Sequence, residues 1–338
     1  MVKRLTLLLL SGLVLAGAGY AYLTKYMEQY VNQALILDQE KIYTIEPGAS
    51  FNQVLSGLTK EQLIEFDKLT PLVHRFYPQM AEIKAGTYLL IPEMTLKQAL
   101  ELFNTGKEHQ FAITFVEGST FSEWLDSLQQ APHLDHKAQG MTEAQIAQNI
   151  GVKQNKLEGL LLAETYHYTV GTSDLDILKR AANKLQKVLD EQWSLRQKDL
   201  PLDSPYEALI LASIIEKETA VESERERVAA VFVNRLNKRM RLQTDPTVIY
   251  GMGDKYDGNI RKKDLRTPTP YNTYTIFGLP PTPIAMPGKA SIKAALNPEA
   301  SRYLYFVASG NGGHVFSKTL AEHNRAVRAY LKQLRSNK

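Results

Sequence analysis

Five carboxylates crowd into eleven residues of the stretch LASIIEKETAVESERERVAAVFVNRL, at Glu216, Glu218, Glu222, Glu224 and Glu226. Such a run is either a solvated charged face or a place where one acid is held in apolar surroundings to move a proton. Helical geometry separates the candidates. With Glu218 as origin and about 100° per residue, Leu211 falls near +20°, Ile214 near −40°, Ile215 near +60° and Val221 near −60°. Glu218 therefore shares the apolar stripe. Glu216 lies roughly 160° away, beside Ser213 and Ala220, and reads as a solvent charge. A carboxyl on the buried stripe keeps its proton to higher pH. A protonated Glu in a cleft is what cleavage of a glycosidic bond needs, because the leaving oxygen must receive a proton. The alternative on pattern alone is a surface Glu at a helix end, paired with Arg225 or Lys217.

Other chemistries fit less well. The chain holds no cysteine, so it has no thiolate nucleophile, disulfide framework or Cys-ligated zinc. It has no G-x-S-x-G elbow, H-E-x-x-H motif or Walker loop. The seven histidines are scattered; His314 and His323 lack a third ligand at a recognisable spacing and read as structural or substrate-contacting. GNGGH does not lead from a strand into a helix with phosphate-loop spacing and is expected to be a hairpin turn. With 40 basic against 36 acidic residues, the charge balance argues against a nucleic-acid partner.

The elements that must position such a site follow from patterning. After Lys3 and Arg4, residues 5–23 form 19 uncharged, mostly apolar positions, about the length that crosses a bilayer core. This run outlasts a cleavable signal h-region and is expected to be an uncleaved anchor, with residues 1–4 cytoplasmic and the remainder beyond the membrane. Residues 24–40 read as a polar membrane-proximal linker lifting the folded part off the bilayer. In residues 41–107, KIYTI and AGTYLLIP read as strands, with helices capped near Ser50 and at Thr95 and the second stopped by Gly106. This is a small α+β module. Residues 108–338 form a second, mixed α+β domain. It has two successive helices separated near 221–224, and residues 241–313 are rich in Pro, Gly, Thr and Tyr and suited to a binding cleft. The fold class is α+β throughout.

Several long segments, MRLQTDPTVIYGMG, TPYNTYTIFGLPPTPIAMPG, AALNPEA and YLYFVASGNGGHVFSKTLAEHN among them, resemble the MltG (YceG-like) endolytic murein transglycosylases. The resemblance implies a bitopic inner-membrane protein with a periplasmic LysM-like module at 41–107 and a catalytic domain at 108–338. It implies cleavage of the β-1,4 bond between N-acetylmuramic acid and N-acetylglucosamine within nascent glycan strands, leaving 1,6-anhydro ends, with no metal or organic cofactor. The family's catalytic Glu falls on Glu218. Gln243, Asp245, Tyr271, Asn272, Thr273 and Tyr274 match segments expected to contact substrate, and Glu224 could orient it or form a structural salt bridge. Asp245 before Pro246 also fits a turn cap, and Tyr250 and Tyr274 also fit core aromatics. Family membership further implies association with peptidoglycan synthases, the penicillin-binding proteins. One departure stands out: the family's E-G-x-x-x-P-D-T-Y reads EGLLLAETY here, with Ala163 and Glu164 in place of Pro and Asp. Two rivals remain open, a hydrolytic muramidase and a non-catalytic glycan-binding scaffold.

Overall fold

The computed structural model describes residues 2–336 and divides into two compact units, one up to Phe111 and one from Ala112. In the first unit, α1 (Val2–Val31) is one continuous helix whose apolar part carries no tertiary cover. The module beside it comprises β1 (Lys41–Ile45), α2 (Phe51–Lys60), the single turn α3 (Val73–Phe76), β2 (Gly86–Leu90) and α4 (Leu96–Thr105). β1 and β2 pair antiparallel, Lys41 opposite Leu90 and Ile45 opposite Gly86. Ser50 and Thr95 cap their helices through reciprocal boxes with Gln53 and Gln98, and Gly106 adopts the left-handed conformation past α4. These three local signals act as the sequence implies.

The stretch 24–40 differs from its expected role. α1 continues through Val31, and Met27, Tyr30, Val31 and Leu35 are buried in the module's core with Leu55, Leu58, Tyr88 and Phe103. Positions 27, 30 and 31 share one helix face, so a buried stripe hides among exposed Glu and Gln residues. This stretch is part of the module, not a linker.

The second unit contains β3 (Phe111–Thr114), α5 (Phe121–Gln130), α6 (Glu143–Ile150), β4 (Thr165–Tyr168), α7 (Asp174–Ser194), α8 (Pro205–Glu218), α9 (Arg225–Asn237), α10 (Asp245–Met252), α11 (Lys289–Leu296), β5 (Tyr305–Ala308), β6 (His314–Ser317) and α12 (Leu320–Ser336). β3 pairs with β4, and β5 with β6 as a hairpin turning through the glycines at 310, 312 and 313. At the centre stands α8, packed against α7, α9, α10 and α11. All eight residues from Ala208 to Ile215 are buried, so α8 is a core helix without a solvent face. Even Ser213 is inside, donating to Ile210 O and accepting from Ile284 N.

Candidate active site

α8 ends at Glu218, and Thr219 is already extended. Although Lys217 beside it is exposed, Glu216 is not a solvent charge. Its carboxylate is buried, faces Arg225 at 3.7 Å and accepts the Gly288 amide at 2.9 Å. The neighbouring Lys217 donates to Gly118 O. The two cations that could have neutralised Glu218 at the surface are thus engaged elsewhere.

Glu218 lines a cleft of about 360 Å³ with Val231, Phe232, Arg235, Leu242, Gln243, Asp245, Tyr274, Tyr305, Phe306, Leu320 and His323. One wall is the α9 face, one is the start of α10, and one is hairpin β5–β6 with α12. Burial is the largest influence on the Glu218 carboxyl and pushes its pKa up, with Asp245 adding to the effect. Three contributions oppose it: the Thr244 hydroxyl, which donates to Glu218 Oε1, and the charges of His314 and Arg235. The net direction is upward, toward a proton held on the acid.

Gln243, Asp245 and Tyr274 stand on the cleft wall, with the Tyr274 hydroxyl donating to Asp245 Oδ1 at 2.6 Å. Gln243 has φ of 51°, a left-handed backbone uncommon outside glycine, at the point where the chain turns past Glu218. Tyr271, Asn272, Thr273 and Glu224 take other places. Asn272 and Thr273 are fully buried. Asn272 donates to Asp264 O and Thr267 O, and its Oδ1 accepts the Tyr274 amide. Thr273 accepts the Thr244 amide and shares a hydroxyl contact with Thr247. These two residues fix the backbones that carry Thr244 and Tyr274, so their role is scaffolding rather than substrate contact. Tyr271 bonds Thr282 and packs edge-on against Tyr250 at 4.9 Å. Glu224 grips the hairpin, accepting the His314 amide at 3.0 Å and facing His314 Nδ1 at 2.8 Å.

Two residues at the site, Thr244 and Arg235, escape sequence reasoning, whereas His323, expected to be structural or substrate-contacting, lines the cleft. Thr244 sits unremarked inside LQTDPTV. Arg235, within VNRL, is 7% exposed and bonds Leu304 O, Arg241 O, Leu242 O and Gln243 Oε1. His323 stacks on Tyr305, and its buried Nδ1 has no hydrogen-bond partner among the described residues.

The YceG-like family model matches residues 43–329, most of the chain. The chain belongs to the YceG-like family. An endolytic murein transglycosylase of Bacillus subtilis is 33% identical over 305 residues, covering 85% of this chain and 84% of that protein. One from Streptococcus pneumoniae serotype 2 is 26% identical over 96% of this chain, which spans 64% of its length. A crystal structure of a YceG-like protein from Listeria monocytogenes is 30% identical and superposes with a TM-score of 0.50, over 85% of this chain and 99% of that one.

Within this YceG-like chain, the departure at Ala163 and Glu164 has a structural setting. Ala163 is buried, while the Glu164 side chain pairs with Lys184 on α7 and its carbonyl accepts the Phe115 amide. Neither residue lines the Glu218 cleft. Glu158, from the same segment, is a second buried acid. It accepts the Phe121 amide at 3.1 Å, with help from the Tyr250 hydroxyl, and burial raises its pKa from 4.5 to about 7. A folded value above the unfolded one means its contribution to stability is full below about pH 4.5 and is lost as pH rises through about 7. Glu158→Gln keeps the acceptor for Phe121 and removes the buried charge. It is expected to match wild type near pH 4.5 and to exceed it above pH 7 by about 3 kcal/mol in urea unfolding. An equal difference at both pH values would show that Glu158 is not the group responsible.

Proposed function

We propose that this chain is a membrane-anchored endolytic murein transglycosylase. It cleaves the MurNAc-β-1,4-GlcNAc bond inside nascent glycan strands without water and leaves 1,6-anhydro-MurNAc ends. The observation that carries this is Glu218, an acid whose surroundings favour its protonated form on the wall of a polar and aromatic cleft. The relatives named endolytic murein transglycosylases support the substrate class.

One carboxyl serves two steps. Protonated Glu218 gives its proton to the bridging O4 as the C1–O4 bond breaks and positive charge develops at C1. The GlcNAc end departs as an alcohol. The muramic C6 hydroxyl then forms a bond to C1 in the same sugar and yields its proton to the Glu218 carboxylate, which restores the acid. Nucleophile and electrophile share one ring, so the effective molarity is high and a second carboxylate to activate water is unnecessary. Gln243, Asp245 and Tyr274 supply hydrogen bonds to acetamido and hydroxyl groups, and Tyr274 and Tyr305 offer aromatic faces to sugar rings. The anchor places the enzyme on the outer face of the bacterial inner membrane, where peptidoglycan synthases are its natural partners.

Internal cleavage has a distinct signature. Long glycan strands treated with the full chain are expected to shorten across the whole length distribution before disaccharides accumulate. Disaccharide release from unshortened strands would exclude endolytic action. The acid step also ties rate to Thr244. Thr244→Val removes a hydrogen bond that favours the charged form of Glu218, so its pKa rises further. The alkaline limb of the pH–rate profile is expected to move to higher pH. A limb that stays in place would mean another group titrates there.

A further inference from the structure

We propose that residues 65–77 of the first unit form a membrane-interface contact, seated in the outer headgroup layer beside α1. This rests on α1 spanning the bilayer and goes beyond it, because it places folded parts of the module at the lipid surface.

Three contacts between this segment and α1 fix its depth. The Phe76 ring stacks on Tyr20 at 6.3 Å, the Tyr26 hydroxyl bonds Asp67, and the Tyr30 hydroxyl meets Thr70 Oγ1 at 2.8 Å. The mostly apolar run ends at Leu23, and Lys25 is the first charge beyond it. At about 1.5 Å per residue, Tyr20 lies roughly 4.5 Å inside that boundary and Tyr26 roughly 4.5 Å outside it. Headgroup layers are about 5–7 Å thick on each side of the hydrocarbon. Phe76 therefore reaches the edge of the hydrocarbon, and Phe66, adjacent to Asp67, lies at headgroup level.

The side chains suit that position. Phe66 is 75% exposed, a large apolar surface left open to solvent next to Asp67, which accepts the Tyr26 hydroxyl of the helix. Aromatic residues at this depth form the interfacial belt that steadies membrane spans. Lys25, Lys68 and Arg75 are exposed and form no ion pair among the described residues, so they are free to meet lipid phosphates while their stems lie along apolar surface. Asp67, Glu28 and Glu65 balance these three cations, so the patch carries little net charge and the contact rests on its aromatic side chains, with the basic groups meeting phosphates one by one. The joint is also stiff. Met27, Tyr30 and Val31 are core residues of the module, so the helix cannot swing away from it without unpacking that core. The module rests on the bilayer in a set orientation.

The cysteine-free chain permits a direct test with single-cysteine variants of the full protein, Phe66→Cys and Leu10→Cys, each carrying a bimane fluorophore. Both are reconstituted in phosphatidylglycerol–phosphatidylethanolamine vesicles. Nitroxide lipids labelled near the glycerol end, nitroxide lipids labelled deep in the acyl chain, and aqueous iodide serve as quenchers. The expected result is about a two-fold or greater loss of Phe66-site emission with the shallow nitroxide, with little response to iodide. The Leu10 site should respond to the deep nitroxide. If the Leu10 site behaves so while the Phe66 site responds to iodide alone, the interface contact is overturned and the span stands. If the Leu10 site ignores the deep nitroxide, the span falls and the contact with it. Shielding of Phe66 from iodide without nitroxide quenching would assign the patch to a second copy of the chain and also overturn the proposal.

Discussion

Glu218→Gln, folded and embedded in membrane, is expected to lose about 10³-fold or more of its strand-cleaving rate. The substitution changes almost nothing else. Glutamine has the shape of the acid, and its amide oxygen can accept the Thr244 hydroxyl that now bonds Glu218. What it cannot do is give a proton to the departing O4 and take one from the C6 hydroxyl, so both steps fail together. Glycan binding should survive, because Gln243, Asp245 and Tyr274 are untouched; the loss belongs in kcat rather than KM. Thermal stability should hold or rise, since a desolvated acid is replaced by a neutral amide. Full activity in a folded Glu218→Gln protein would remove Glu218 from the chemistry.

Arg235→Met is expected to be the most destabilising single change near the cleft, by about 3–5 kcal/mol. Arg235 is 7% exposed, and its guanidinium binds four oxygens: Leu304 O at 2.7 Å, Leu242 O at 2.9 Å, Arg241 O at 3.1 Å and Gln243 Oε1 at 3.3 Å. It also lies over the Tyr305 ring at 5.1 Å. Methionine fills much of the volume but leaves those acceptors without donors inside the fold. A fall of about 10 °C in the melting temperature follows for a unit of this size. Activity should fall too, because Arg235 joins the strand bearing Tyr305 to the turn bearing Gln243, and these are opposite walls of one cleft. Arg235→Lys, which keeps charge but offers a point donor in place of the planar fork, should fall between the two. A Met variant that melts with wild type would show that these bonds add nothing net.

The elements most readable from sequence were those set by local chemistry. Ser50 and Thr95 each carry a Gln three residues on, which is the capping box the structure contains, and Gly106 ends α4 as only a left-handed residue readily can. The break between α8 and α9 and the glycine hairpin between β5 and β6 have the same local origin. What escaped depends on distant partners. Glu216 reads as a surface acid until Arg225 and the Gly288 amide close over it. Asn272 and Thr273 read as substrate donors because their family segment lies in a turn-rich stretch. Their donors instead serve Asp264, Thr267, Thr244 and Thr247, contacts that no spacing rule supplies. The buried face of α1 at Met27, Tyr30 and Val31 was present at helical spacing but diluted by surrounding polar residues. Helix geometry and family resemblance both point to Glu218 as the candidate acid, though the geometric contrast with Glu216 fails because both carboxyls are inside; the Thr244 partner required the fold.

Mass analysis of the new ends made on uncrosslinked glycan strands addresses the central claim directly. Wild type is expected to generate muramic ends one water lighter than reducing ends, the mark of an intramolecular 1,6-anhydro bond, and Glu218→Gln is expected to generate none. Reducing muramic ends from wild type would mean that water, not the C6 hydroxyl, attacks C1, and the one-carboxyl transglycosylase mechanism would be wrong.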